Sequence, residues 1–299
     1  MQTTFALIIS LLFFSHCTNN AGQEQILSNQ ISLSEFKKEE SPIFIPFSRD
    51  SIKLILENKI RNHQPLIVHV FVPLCDNEHQ GIVPVNSDLG NGFNLKTNLY
   101  WGARYGFKSF FLKDNSWKFV ASFNKQNDTI LERIVFNKLI GGANVYLIAD
   151  AYRGDRMKNC LRDFMNSIAQ INYDSVQIND SIYLKIGSGS DLMIFNGHNG
   201  LMDTNLEIVV NQTQIKKDAA VIGCISYNYF YERLNYAGGF PILTTNSFMA
   251  PEAYCAEALI TAWAQNKSGD EIVEEVANAY ATYQKCGMKG ARTLFKTGL

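Results

Sequence analysis

Asn144-Val145-Tyr146-Leu147-Ile148-Ala149-Asp150 is a nearly unbroken apolar run, and it stops at a carboxylate. After Gly154-Asp155, between 156 and 170, the apolar positions Met157, Leu161, Phe164, Met165 and Ile168 recur at helical spacing. An apolar run this short reads as a strand covered on both faces. A strand followed directly by an amphipathic helix is the repeating half of a parallel sheet.

The same pattern extends in both directions. Upstream, Leu-Ile-Val-His-Val-Phe-Val lies between Pro65 and Pro73 as a first buried strand. Downstream, 191–196, 219–223 and 240–245 supply three more. Helices are expected over 226–236, 251–265 and 270–286, with Gly238-Gly239 closing the first and Ser268-Gly269-Asp270 capping the last. Between the first two buried strands, Thr97 reads as the cap of a helix opening over 97–103. Residues 116–123 and 130–139 then read as a hairpin turning at Asn127-Asp128. No solenoid or propeller repeat is visible. The order predicts an α/β fold: a three-layer α/β/α sandwich with a mostly parallel sheet.

The first 17 residues carry an apolar run from Phe5 to Phe14 and then Ser15-His16-Cys17. A membrane-spanning helix needs roughly 20 apolar residues. The segment is therefore read as a cleaved export signal, and Ser15-His16-Cys17 resembles a bacterial lipobox in which Cys17 is lipidated. Simple secretion to the periplasm, after cleavage nearby, is the alternative. Residues 18–60 are read as a polar tether and N-terminal segment, and 61–299 as the α/β domain. The net charge of −1, and the lack of a basic run interleaved with aromatics, set nucleic acid aside as a partner. A membrane contact is expected only through the lipid on Cys17.

The cysteines are Cys17, Cys75, Cys160, Cys224, Cys255 and Cys286, at spacings that match neither metal knuckles nor a small disulfide scaffold. With Cys17 lipidated, five remain, and an odd number in an exported protein leaves a thiol free. In open parallel sheets, ligands gather at the carboxyl ends of the strands. His198 follows one predicted strand end within Gly197-His198-Asn199-Gly200, and Cys224 follows the next. A thiolate attacks carbonyl carbon, and a nearby imidazole lowers the thiol pKa or delivers a proton to the leaving group. Main-chain amides in a glycine-flanked turn stabilise an oxyanion.

Other residues at strand ends are weighed beside these. Cys75 follows the first strand and is the reserve nucleophile. Cys75, Asp76, Arg153 and Asp203 are candidates for substrate contact, as is Asp155, though solvated loop charge accounts equally for the charged ones. His69 reads as a hydrogen-bonded core residue. His79 reads as a loop residue or a metal ligand. Gly187-Ser188-Gly189-Ser190 lacks the lysine and following helix of a phosphate loop.

The blocks 191–200 and 219–226 resemble those of the caspase-like, clan CD cysteine peptidases, whose pattern is an apolar strand ending in His-Gly and a later one ending in the nucleophilic Cys. Residues 145–168 resemble the preceding strand and helix. Residues 242–281 resemble the strand and paired helices that follow the nucleophile in the gingipain-like and CHAT branches. The resemblance implies a caspase-like fold and a cysteine hydrolase acting on a peptide or amide bond without an organic cofactor. It assigns His198 as acid/base partner, Cys224 as nucleophile, and the Asn199 and Gly200 amides as oxyanion donors. The chain departs from the pattern at Asn199, where the family has glycine, at Gly223, where alanine is usual, and in the short block between His198 and Cys224. The competing expectation is a non-catalytic envelope lipoprotein that binds a ligand or partner in the same crevice.

Overall fold

The structure, a computed structural model, describes residues 47–298. The segment read as an export signal, with Cys17, lies outside the described residues. Helix α1 (Asp50–Arg61) comes first and strand β1 (Leu66–Pro73) follows; after a long loop come α2 (Phe107–Lys113), β2 (Lys118–Asn124), β3 (Ile130–Ile140) and β4 (Ala143–Tyr152). Then come α3 (Met157–Ile168), β5 (Tyr173–Asn179), β6 (Ile182–Gly187), β7 (Leu192–Asn196) and β8 (Lys217–Ile222). The chain closes with α4 (Ser226–Ala237), β9 (Gly239–Thr245), α5 (Ala253–Ala264), α6 (Gly269–Gln284), α7 (Met288–Leu294) and β10 (Phe295–Lys296).

Eight strands form one sheet in the order β10-β9-β8-β7-β1-β4-β3-β2. The five in the middle, β9, β8, β7, β1 and β4, run parallel; β10, β3 and β2 attach antiparallel at the two ends. β1 is buried at every position and lies between β4 and β7, with Phe71 opposite Asp150 on one side and Phe195 on the other. A strand this deep faces no water, which is why its sequence is continuous rather than alternating.

One sheet face is covered by α1, α2, α5 and α6 through residues such as Ile52, Phe111, Leu259 and Val276. α3 and α4 cover the other through Leu161, Phe164, Phe230 and Leu234. The molecule is thus a three-layer α/β/α sandwich. Among the described residues no helix is long and apolar enough to cross a membrane.

Two sequence expectations are corrected and one element is added. Part of the stretch read as a tether is α1, whose Ile52 and Leu56 enter the core. Arg49 just before it makes two hydrogen bonds, 2.7 and 2.9 Å, to the buried Asp218 carboxylate. Thr97 caps no helix: its hydroxyl donates to the Asp88 carbonyl, and the chain turns repeatedly until α2 begins after Gly106. The cause is the buried Asn98, whose amide group donates to Cys75 O and Asn91 O and accepts from Cys75 N and Tyr100 N. A side chain that satisfies four backbone groups organises a loop in competition with a helix. The antiparallel β5–β6 hairpin was unforeseen; its Val176, Leu184 and Ile186 pack on Ile67, Val135 and Ile148.

His69 is a core residue, as expected. Its Nε2 lies 3.0 Å from Asp150, and its Nδ1 accepts from Gly187 N. Arg133 makes bidentate bonds of 2.6 and 2.7 Å to the same carboxylate. Burial alone would raise Asp150, but the hydrogen bonds and charge of Arg133, with those of His69, outweigh it and hold the carboxyl near 2. Replacing Asp150 by Ala strands Arg133 without its principal partner, and urea denaturation should show a loss of about 3–5 kcal/mol.

Candidate functional site

The site begins with the way β8 ends. A side chain on Gly223 would lie 2.7 Å from the carbonyl oxygen of Gly197, so only glycine lets β8 run this close to the end of β7. The departure to glycine before Cys224 therefore has a steric cause. Ile225, next after Cys224, takes a left-handed conformation, φ 48° and ψ 32°. For a β-branched residue that conformation is strained and persists only where its surroundings impose it.

Those surroundings are specific. Ile225 N donates to Ser247 O, and Ser226 Oγ donates to Val221 O at 2.9 Å and accepts from Thr245 N at 2.9 Å. Thr245 Oγ1 donates to Gly223 O and accepts from Ser226 N. Ser226 and Thr245 are both buried and lock the strand-to-helix turn that carries Cys224.

His198 sits at the end of the neighbouring strand, 6% exposed. Its Nε2 lies 2.5 Å from Asp203 Oδ2, which also accepts from Gly81 N at 2.8 Å. Burial would raise Asp203, yet these hydrogen bonds keep its carboxyl below the ordinary value. Asp203, a candidate for substrate contact, is instead occupied in orienting the imidazole. Asn199 Nδ2 donates to Cys224 O at 2.8 Å, tying the two strand ends together. Its Oδ1 accepts from Leu201 N at the start of a 3-10 turn, Gly200–Met202. The Asn199 and Gly200 amides show no hydrogen bond among the described residues, and both residues are buried.

The Cys224 thiol, partly exposed, bonds both ways to the Met249 backbone, at 3.4 Å to O and 3.4 Å from N. Burial pushes the thiol above its ordinary value, more than the Met249 and Cys224 amides draw it down. It is a neutral thiol at rest. No hydrogen bond joins it to the His198 ring, whose ring bond is to Asp203.

No family model, curated protein or solved structure matches this chain.

The remaining candidates also lie at the carboxyl ends of β1 and β4, mostly engaged. Cys75 is fully buried, and burial raises its thiol to about 12, so it is neither an accessible nucleophile nor a substrate contact. Asp76 is buried and accepts from Glu78 N, from His79 N and, at 3.0 Å, pairs with His79 Nδ1. It therefore holds its own loop rather than a substrate. Arg153 pairs with Asp155 at 2.8 and 3.0 Å, donates to Asp128 O and lies 4.9 Å above the Phe93 ring. Among the described residues no cluster of three metal-ligating side chains occurs.

Sequence reading missed the segment 249–252. Met249 holds the Cys224 sulfur, Pro251 O accepts from Asn196 Nδ2 at 2.9 Å, and Glu252 precedes α5. Glu252 Oε2 accepts from Tyr254 OH and from Gln284 Nε2, each at 2.9 Å. Burial lifts its carboxyl from 4.5 to about 7, against the lowering effect of those two bonds. The only available sign was a polar, proline-bearing break between β9 and α5, which resembles any other loop.

This carboxyl has a thermodynamic signature. Between pH 4.5 and about 7 the native state holds a proton that the unfolded chain has released, so the stabilisation is complete below the lower value and lost as pH rises through the upper one. Denaturant titration from pH 4.5 to 8 should show wild type losing on the order of 2 kcal/mol relative to Glu252→Gln. Parallel curves for the two proteins would contradict the assignment.

Proposed function

We propose that the protein is a divergent caspase-like cysteine hydrolase of the bacterial cell envelope, acting on a peptide or amide bond. The observation that carries this reading is the pairing of Cys224, on a strained and locked strand-to-helix turn, with a carboxylate-held His198 at the end of the adjacent parallel strand. In support, the central order β9-β8-β7-β1-β4 puts the histidine after the third parallel strand in sequence and the cysteine after the fourth, in the sequence order of the pattern that the chain resembles.

In this mechanism His198 takes the thiol proton as Cys224 Sγ attacks the substrate carbonyl carbon, and the Asn199 and Gly200 amides receive the developing oxyanion. The imidazolium then protonates the leaving amine, and water attacks the acyl-enzyme to release the acid and restore the thiol. Asp203 stabilises the imidazolium through Nε2. Because the resting thiol is neutral, substrate has to displace the Met249 contacts before the proton moves.

Those contacts favour a second reading. A sulfur bonded to backbone and lifted in pKa also suits a non-catalytic lipoprotein that binds a ligand in this crevice. The two readings separate in one experiment. Fluorogenic peptide amides should be turned over by wild type, and Cys224→Ala should abolish both turnover and labelling by a fluorescent iodoacetamide. His198→Ala should lower kcat at least 100-fold with an unchanged melting temperature. Turnover that survives Cys224→Ala would eliminate the hydrolase.

The envelope location rests on residues 1–17. Mass spectrometry of the mature protein from cells should find a diacyl or triacyl modification on Cys17, and an intact Met1 would rule this out.

A further inference from the structure

Glu252 is a carboxylate in search of a counter-ion. Its hydrogen bonds come from the neutral donors Tyr254 and Gln284, both to Oε2. Oε1 has no hydrogen bond, and no Lys, Arg or His pairs with the carboxylate, among the described residues. The titratable groups that sense its charge are Tyr100, Tyr254 and Cys255, all neutral at physiological pH. Other buried carboxylates in the molecule are compensated: Asp218 by Arg49, Asp150 by Arg133, and Glu132 by Lys108. Glu252, partly buried, has no such ion-pair partner among the described residues, and taking a carboxylate out of water without a counter-ion is costly.

An independent observation lies alongside. Asn196, 1% exposed at the end of β7, donates through Nδ2 to the Pro251 carbonyl, while its Oδ1 is buried with no partner among the described residues. Asn196 is therefore tied to the residue before Glu252, and each of the two side chains keeps an oxygen without a donor among the described residues. Both belong to the surroundings of Cys224. Met249 grips its sulfur, and the Tyr100 hydroxyl senses the charges of both Cys224 and Glu252. Glu252 and Cys224 are partly exposed, whereas Asn196 and Tyr100 are buried behind them. The sulfur and the two acceptors are thus linked through one segment, 249–252, by the Met249 and Pro251 backbone bonds.

We propose that Glu252, backed by Asn196 Oδ1, is a specificity-determining residue that receives a cationic amine or guanidinium of the molecule reacting at Cys224. The donors of such a group match the two vacant acceptors, and its charge supplies the missing counter-ion. Binding draws the proton off Glu252, since a nearby cation favours the ionised carboxyl. Gln284 and Tyr254 position the carboxylate through Oε2 and leave Oε1 toward the ligand. This assignment rests on Cys224 being the reacting thiol.

The test uses thiol chemistry, not turnover, so that it remains decisive if hydrolysis is not found. Three methanethiosulfonates, carrying an aminoethyl, a methyl or a sulfonatoethyl group, each convert a thiol to a mixed disulfide with release of methanesulfinate. Their rates at Cys224 are measured in the full chain at pH 8.5 and low salt by peptide mass mapping, and normalised to the rates on N-acetylcysteine. Wild type should favour the aminoethyl over the methyl reagent by about tenfold and disfavour the sulfonate, in line with one charge acting at a partly screened distance. Glu252→Gln should bring the ratio to that of the free thiol, and Glu252→Asp should keep most of it. An unchanged ratio in Glu252→Gln overturns the proposal.

A second arm needs no variant. n-Butylammonium should slow methylthiolation of wild-type Cys224 by the methyl reagent where n-butanol does not, and equal effects of the two also overturn it. A charge preference without peptide turnover would leave this recognition standing while removing the hydrolase. Turnover that depends on Cys224, with no charge preference, would do the reverse.

Discussion

The close approach of two strand ends governs this molecule. With no side chain on Gly223, β8 ends against the carbonyl of Gly197, and at that separation the Asn199 amide reaches the Cys224 carbonyl. The chain then has to leave the sheet at once to begin α4, and it does so through a left-handed isoleucine. The tension in that turn is borne by Ser226 and Thr245, whose hydroxyls satisfy four backbone groups between them in a buried space. A buried polar network of this kind is rigid when complete, and it fixes the direction of the sulfur more firmly than apolar packing would.

Around this turn, the carboxyl edge of the sheet divides into groups that are satisfied and groups that are not. His79 and Asp76, Arg153 and Asp155, and His198 and Asp203 form pairs, each holding a loop or a ring in place. Glu252 Oε1 and Asn196 Oδ1 lie next to the same segment with acceptors unused. Folding stability alone favours pairing every buried polar atom. The recognition proposed for Glu252 draws on these two unused acceptors beside an otherwise over-determined turn.

The strands were legible because burial on both faces leaves an unbroken apolar signature, as at Leu66–Pro73 and Leu192–Asn196. The β5–β6 hairpin was not, because one of its faces is exposed and its inward side chains are few. Helix α1 was hidden in a polar stretch, since only Ile52 and Leu56 point fully into the core and the charged ends of Arg49 and Lys59 do the rest of the docking. Cys224 and His198 were found because chemistry-bearing residues stood next to strand ends. Glu252 and Asn196 were not, since their importance depends on what they fail to touch, and an absent partner leaves no mark in a sequence.

The place of β1 in the middle of the sheet sets the order in which the chain can assemble. Its neighbours are β4, begun near residue 143, and β7, begun near residue 192, so the first strand made keeps an open edge until β7 follows. Pairings between residues so far apart in sequence pay loop-closure entropy before they return any contact, and topologies dominated by them fold slowly. Until residue 196 has emerged during synthesis, β1 is an uncovered apolar edge of the kind that aggregates or engages chaperones. The sheet that sets Cys224 and His198 at the ends of adjacent strands is therefore the same one that makes the young chain dependent on protection.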